Sequence, residues 1–258
     1  LKYFVRKALG NRSIFKIKPN VVICVPCGVT QVERRAVEEA ILQAGAYDAI
    51  IVEEPLAAAI GAGLPVDEPT GVMVVDIGGG TTEVAIISLG GIVASRSVRM
   101  GGNRLDMAIV NYIRKVYNVS IGEYTAEELK IGLGSVYPMQ NESRATVRGI
   151  DIERHLPTTI EISSQDVYEA LREPVMAIID AIHQTLEDTP PELSADIMIR
   201  GITLTGGGAQ LLGLDALIHS ETGIPAHVSK NPLDAVVMGA GKIVDDPATM
   251  RLIDAARA

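Results

Sequence analysis

The alternation of apolar and polar positions divides the chain into short strands and amphipathic helices joined by turns rich in glycine and proline. An apolar run over 21–25 has strand length. Thr30, with Glu33 three residues on, forms a capping-box pattern before a helix whose Val32, Val37, Ala40, Ile41 and Ala44 share one face and which stops at Gly45. A short strand over 49–52 follows, and Glu54-Pro55 opens a helix of small residues with proline at its first position. Residues 65–70 read as a hinge between lobes. Three strands at 72–77, 82–88 and 91–98 read as a meander, followed by an amphipathic helix over 104–117 through Leu105, Ile109, Ile113 and Val116. Thr125 and Glu128 repeat the capping-box pattern, and 146–150 and 158–162 have the composition of strands. A helical stretch over 164–188 is expected to kink or break at Pro174. A strand at 201–205 then enters Gly206-Gly207-Gly208, a helix runs to Gly223, and Asn231-Pro232 caps a last helix over 233–244. Strand, tight turn and helix thus occur in that order at 21–45 and again at 201–223, so two related α/β lobes are expected, with a mixed sheet covered by helices.

The segment from Met73 to Ile86 changes the picture from fold to chemistry. An apolar strand ends in Asp76, then Gly78, Gly79, Gly80, Thr81 and Thr82 lead straight into a second apolar strand. Glycines let the backbone approach a ligand and turn successive N–H groups into one concavity, which suits a polyphosphate. Asp76 at the strand end could hold a hydrated Mg²⁺, an ion that prefers oxygen ligands and keeps several of its waters. No Gly-Lys-Ser/Thr follows, so this is not a Walker loop, and no helix opens on a G-x-G-x-x-G pattern. A plain glycine-rich hairpin turn is the competing reading.

Composition narrows the class. Of the 258 residues 47% are apolar, but no apolar run reaches the length of a membrane-crossing helix, and no signal peptide precedes the first strand, so a cytoplasmic location is expected. A net charge of −9 argues against a nucleic-acid partner. The charge is uneven: Lys2, Arg6, Lys7, Arg12, Lys16 and Lys18 stand in the first twenty residues without an acid among them. Beside Ile14-Phe15 such a patch suits a membrane surface, where cations meet anionic headgroups and apolar side chains enter the interface, although a solvated helix and an inward-packed Phe15 would explain it too. Cys24 and Cys27 are spaced as C-x-x-C, but the first ends an apolar strand and His155, His183, His219 and His227 are scattered, so reduced structural thiols are expected rather than a redox or zinc site.

The order of motifs resembles the MreB/Mbl family of bacterial actin-like proteins over essentially the whole chain. It runs from Pro26-Cys27-Gly28-Val29-Thr30, through Glu53-Glu54-Pro55-Leu56-Ala57-Ala58-Ala59 and Asp76-Ile77-Gly78-Gly79-Gly80-Thr81-Thr82-Glu83, to Leu204-Thr205-Gly206-Gly207-Gly208 and Gly239-Ala240-Gly241. The resemblance implies an actin-like, ribonuclease-H-like two-lobed ATPase fold of the α/β class, its first lobe incomplete. It implies a remainder of the first lobe over 1–68, a second-lobe core over 69–105 and 172–232, an inserted subdomain over 106–171, and a carboxy-terminal helix over 233–258 returning to the first lobe. By the same resemblance Asp76, Gly78, Gly79, Gly80, Thr81 and Thr82 form the second phosphate loop, with Asp76 at the metal. Glu54 positions the attacking water; in-line phosphoryl transfer needs an oriented water and charge neutralisation, which one carboxylate and one metal site suit. Glu127, Glu128 and Lys130 belong to the helix facing ribose and adenine, and Gly206, Gly207, Gly208 and Ala209 to the loop under adenine and the α-phosphate. Ile14 and Phe15 match a membrane-inserting loop. ATP and Mg²⁺ are the implied cofactors. The implied partners are further copies in a filament, the inner face of the cytoplasmic membrane and the machinery of cell-wall elongation, in the service of rod shape.

Purely structural roles are open to the same residues: a helix cap for Glu54, and a solvated ion pair between Glu127 and Lys130. Three glycines at 206–208 are read as a sign of close ligand approach, since a strand-to-helix turn needs only one or two. The family's first, Asp-x-Gly-Thr-type phosphate loop does not occur in these 258 residues, and the chain starts at Leu1 without a methionine. A fragment or a degenerate relative is expected on that ground, with feeble ATP binding and negligible turnover by these residues alone. Cys27, Asn103, Gly132 and Met238 also depart from the family's usual residues. The alternatives are a non-catalytic or truncated filament partner and, at greater distance, a DnaK-type chaperone or sugar kinase. The last two would need a peptide-binding domain or a catalytic aspartate in the first lobe, which the sequence does not show.

Overall fold

The computed structural model describes residues 1–9, 18–138, 141–246 and 249. Helix α1 (Lys2–Leu9) leaves Tyr3 and Phe4 exposed. Strand β1 (Asn20–Val25) turns at Gly28 into α2 (Gln31–Ala44), where Thr30 and Glu33 close the reciprocal capping box their spacing predicts and Gly45 ends the helix in the left-handed region. The buried face of α2 is narrower than its pattern suggests: Ile41 and Ala44 are buried, but Val32 and Ala40 are exposed. A sheet of two strands offers too little surface to cover the whole stripe. Those strands are β1 and β2 (Asp48–Glu53), paired in parallel from Asn20 opposite Asp48 to Val25 opposite Glu53.

Helix α3 (Glu54–Ala62) follows without a loop, with Glu53 rather than Glu54 at its N-cap and everything from Pro55 to Ile60 buried. The segment 65–70 is fastened along its length. Gly90 N–H donates to Val66 O at 2.6 Å, Leu89 N–H to Glu68 O at 3.1 Å, and Gly71 N–H to the Asp196 carboxylate at 2.8 Å.

Strands β3 (Val72–Ile77), β4 (Thr82–Ser88) and β5 (Gly91–Val98) form the expected antiparallel meander. Helix α4 (Gly102–Tyr117) buries Leu105, Ile109 and Ile113, while Val116 stays exposed. Strand β6 (Val119–Ser120), helix α5 (Glu123–Leu133) and strands β7 (Arg144–Asp151) and β8 (Pro157–Ser163) follow, the strands making a separate antiparallel sheet in the order β6-β7-β8. Helix α5 starts behind Gly122, so Thr125 lies inside it and the expected capping box does not form. Helix α6 (Ser164–Glu187) continues through Pro174. The proline removes one backbone hydrogen bond at a cost of about 3 kcal/mol, and burial of Val167, Leu171, Val175, Ile178, Ile179 and Ile182 along the same helix offsets it. Helix α7 (Pro191–Arg200), strand β9 (Ile202–Thr205), a 3-10 turn (Gly207–Gln210), helix α8 (Leu214–Thr222), strand β10 (Ala226–Val228), a second 3-10 turn (Pro232–Asp234) and helix α9 (Ala235–Asp245) follow in that order.

The main sheet has the order β10-β9-β3-β4-β5, parallel from β10 to β3 and antiparallel from β3 to β5. Its two faces feed two cores, as the period of two along a strand requires. Met73, Val75, Ile77, Val84 and Ile86 face a large cluster with α4 and α6. Val72, Val74, Ala85 and Ile87 face α3 and the end of α9. The recurrence seen in the sequence becomes two parallel βαβ units, β1-α2-β2 and β9-α8-β10, each leading into a helix.

Those two helices, α3 and α9, cross with their backbones in contact. A Cβ on Gly61 would lie 1.8 Å from Ala235 O, and one on Gly239 would lie 1.8 Å from Ala57 O. The arrangement is reciprocal: alanine and glycine four residues apart on each helix face the matching pair on the other. Lys242 Nζ then donates to Ile60 O at 2.8 Å, closing the far end of the crossing. Gly239→Ala is expected to lower stability by about 1–3 kcal/mol, the usual penalty for overpacking. Gly241, on the same helix, has open space where its Cβ would be. Gly241→Ala is therefore expected to raise stability by about 0.5–1 kcal/mol. Urea unfolding of the two variants checks the pair of signs.

Candidate functional site

Two groups of residues meet at the loop between β3 and β4. The first lines a cleft of about 820 Å³ whose walls come from the glycine loop, the start of α4, the face of α5 and the turn after β9. The second is a set of carboxylates on the sheet face turned toward α3.

The loop itself is held by the protein on one side only. Gly78 N–H donates to Thr81 O at 2.9 Å, and the loop carbonyls of Gly78 and Gly79 accept from Gly102 N–H and Asn103 N–H, each at 2.9 Å. Among the described residues the N–H groups of Gly79, Gly80 and Thr81 donate to no acceptor. A Cβ on Gly80 would meet nothing within 4 Å, and the φ of Gly80 is not in the left-handed region, so neither packing nor strain within the protein calls for glycine there. Unpaired donors beside a position kept bare are what an anionic ligand would use. Thr82 differs from its neighbours: it is fully buried, and its hydroxyl donates to Met100 O at 2.6 Å.

Gly206, Gly207 and Gly208 form the turn after β9, and here protein contacts supply most of the reason for glycine. Gly206 has φ +79°, with its Cβ position 2.3 Å from Ile77 O, and a Cβ on Gly208 would lie 2.2 Å from Ile77 Cγ2. Only Gly207, 3.2 Å from Leu233 Cδ2, leaves a choice. The reading of three glycines as a sign of ligand approach is thus corrected: two of them let the turn pack on Ile77. Gly207 and Gly208 line the cleft, whereas Ala209 is buried beneath the turn.

Glu127 and Lys130 also line the cleft, but not as a mutual ion pair. Lys130 Nζ lies 2.8 Å from Asp106 Oδ1 on α4 and donates to Gly102 O at 3.2 Å, so it binds α5 to the start of α4. Glu128 is exposed and outside the cleft lining. Sequence reasoning assigned no role here to Gly102, Asp106, Ile131, Leu211 and Leu233, which all line the cleft. The Gly101-Gly102 pair heading an amphipathic helix was the available signal for the first. The apolar residues carry none, because single leucines and isoleucines are ordinary core residues.

On the other face of the loop, Asp76 is buried and its Oδ1 accepts the Thr205 hydroxyl at 2.8 Å. Burial raises its pKa; the Thr205 hydrogen bond acts against this, and the charge of Glu83 adds to it. Glu54, half-buried at the start of α3, is also raised, first by burial and then by Glu83 and Asp76. Among the described residues no lysine or arginine pairs with Asp76, Glu83 or Glu54; Arg34 is engaged with Glu53. The same surroundings push the free thiols of Cys24 and Cys27 up to about 12, burial first, which makes them poor nucleophiles and poor metal ligands. No group of three or more metal-ligating side chains occurs among the described residues. Buried Asp76, with Glu83 and Glu54 near it but no cage of ligands converging on one point, suits Mg²⁺ that keeps most of its waters and does not suit an all-protein cage. Ile14 and Phe15 lie outside the described residues, and no described helix is long and apolar enough to cross a membrane.

A mixed sheet that includes one βαβ unit, a second βαβ unit beside it, a glycine hairpin at the central strands and a cleft opening from that hairpin are the arrangement of an actin-like fold. The profile of the MreB/Mbl protein family matches residues 1–252. The cell shape-determining protein MreB of Escherichia coli strain K12 is 51% identical over 245 residues, which are 95% of this chain and 70% of that protein. A crystal structure of MreB5 of Spiroplasma citri bound to AMPPNP superposes with a TM-score of 0.90 at 36% identity, over 97% of this chain and 75% of that one. MreB5 bound to ADP gives the same TM-score at 37% identity. A MamK double helical filament, at 20% identity and a TM-score of 0.79 over 95% of this chain and 73% of that one, shares the fold. The chain belongs to the MreB/Mbl family. It is a bacterial actin homologue of the cell shape-determining type.

The raised acids give a pH signature with a definite sign. A carboxyl whose pKa is raised by folding keeps its proton more tightly in the folded state, so it favours the folded chain at low pH and loses that contribution as pH rises through its raised value. Asp76→Asn removes this penalty while leaving an oxygen for Thr205. The ligand-free variant is expected to melt a few degrees above the parent at about pH 7, with the gap closing toward about pH 4, as differential scanning fluorimetry across that range would show.

Proposed function

We propose that this chain is the nucleotide-binding part of an actin-like filament subunit that works in cell-wall elongation and rod shape at the inner face of the cytoplasmic membrane. The observation carrying this reading is the row of unpaired N–H groups at 79–81, set between a cleft of about 820 Å³ and a buried acidic group without a cation. The binding of AMPPNP and of ADP by the similar MreB5 supports the same reading.

In this reading Gly79, Gly80 and Thr81 receive phosphate oxygens on their amides with Gly78 shaping the loop beside them, and Gly207 and Gly208 border the nucleoside. The apolar Ile131, Leu211 and Leu233 offer a face for the base, and Glu127 an acceptor for hydroxyls. Asp76 holds hydrated Mg²⁺, which when bound would neutralise phosphate charge. Glu54 orients the attacking water, and its raised pKa makes its carboxylate a better proton acceptor than an ordinary glutamate. Loss of the γ-phosphate would release contacts that bridge the lobes, so hydrolysis times the state of the filament. Ile14 and Phe15, amid the basic first twenty residues, anchor the subunit on anionic lipid.

Sedimentation tests the assembly. The purified protein is expected to pellet with ATP and Mg²⁺ and to stay in the supernatant with Asp76→Ala; equal pelleting of both without nucleotide would remove the reading. Co-pelleting only with a longer relative, unchanged by Glu54→Ala, would point instead to a non-catalytic filament partner. Ile14→Ser with Phe15→Ser is expected to abolish flotation with anionic vesicles, and unchanged flotation would discard the lipid anchor.

A further inference from the structure

Among the described residues Glu83 is the one fully buried carboxylate whose bonds reach from the glycine-loop hairpin into the opposite βαβ unit. It stands opposite Asp76 on β3 and opposite Ser97 on β5, so all three side chains share the sheet face turned toward α3. Its Oε1 accepts the Ser97 hydroxyl at 2.6 Å, which fixes the side chain within the sheet. Its Oε2 accepts the backbone N–H of Cys27 at 3.0 Å, across 56 residues of sequence, in the turn between β1 and α2. That turn ends the strand whose last residue, Val25, is the register partner of Glu53, and Glu53 is the N-cap of the helix that begins with Glu54.

A buried backbone amide whose acceptor is a fully buried carboxyl oxygen is costly to release, because neither partner has water to fall back on. We propose that Glu83 is a positioning residue that ties the β1–α2 turn to the glycine-loop hairpin and so holds Glu54 at a set separation from Asp76 and the loop, without itself touching nucleotide. Both carboxylate oxygens of Glu83 are already engaged within the protein, one by Ser97 and one by Cys27. The role explains why a carboxylate is retained at a fully buried position with no cation beside it. An apolar residue there would leave the Cys27 N–H buried and unpaired, a cost as large as the bond itself.

The consequence for turnover rests on the nucleotide reading above, but the tether does not, and two measurements keep them apart. In ligand-free protein, amide exchange followed by mass spectrometry is expected to speed up about tenfold or more at the segment containing Cys27 in Glu83→Ala. Glu83→Gln, which keeps an acceptor oxygen, and Ser97→Ala, which leaves the Cys27 bond intact, are expected to stay near the parent. Unchanged exchange in Glu83→Ala would overturn the tether. With ATP and Mg²⁺, Glu83→Ala is expected to lower kcat for phosphate release by about tenfold while the nucleotide Kd changes by less than about threefold. Loss of affinity in step with kcat would show that Glu83 acts on nucleotide directly and would overturn the positioning role. If the parent protein binds no nucleotide, the nucleotide reading fails, and exchange at Cys27 and at the start of α3 decides the tether. Should Glu83→Ala fail to fold, Glu83→Gln and Glu83→Asp carry the same comparison, the shortened Asp being expected to lose protection at Cys27 and the Gln to keep it.

Discussion

The crossing of α3 and α9 is the constraint on which the rest of the arrangement depends. Two helices brought to backbone contact by Gly61 and Gly239 leave no room for a side chain between them, so their relative position is set by main-chain atoms rather than by adaptable rotamers. Helix α3 is at the same time the cover of the main sheet's second face, through Leu56, Ala57 and Ile60 against Val72, Val74, Ala85 and Ile87. It begins at Glu54, directly after the parallel pair β1 and β2. One close contact therefore places the start of α3, the end of β2 and the glycine hairpin in a common frame. A chemical group at that start inherits a position fixed from three directions.

Against this rigid frame stands a local electrostatic cost. Asp76, Glu83 and Glu54 gather where the sheet face passes from apolar to polar, and no described cation answers them. Burial first, and then the charge of the neighbouring acids, raises the pKa values of Asp76 and Glu54. A stability-driven design would not keep three acids there. A cation or its phosphate-bound complex would complete the group, and the unpaired amides at 79–81 would supply the matching half. Strain of this kind at a functional position, offset by a well-packed frame elsewhere, is a common division between activity and stability.

Much of this was legible in the chain before any coordinates. The period of two placed β3, β4 and β5 at their observed residues, Thr30 and Glu33 announced the start of α2, and Gly45 its end. The order of Glu54-Pro55, Asp76 with its glycines, and Gly206 to Gly208 carried the family, which the comparisons then established. Other signals misled. Thr125 and Glu128 had capping spacing but sit inside α5, because a capping box needs a free helix start as well as two side chains. Pro174 did not interrupt α6, because burial on both sides of it outweighs one lost hydrogen bond.

By itself the sequence determined what depends on neighbours a few residues away: strand and helix periods, the cap at Thr30, the glycine hairpin and the recurrence of strand, turn and helix. Only the tertiary structure decided which glycine of Gly239-Ala240-Gly241 is obligatory, that Lys130 faces Asp106 rather than Glu127, and that Glu83 reaches Cys27. It also showed that Gly206 and Gly208 answer to Ile77 before any ligand. The reason is geometric. A local pattern specifies the conformation of its own segment, whereas a contact across fifty residues depends on the register and approach of two elements, which the close fit of α3 on α9 and on the sheet fixes only once the chain has folded.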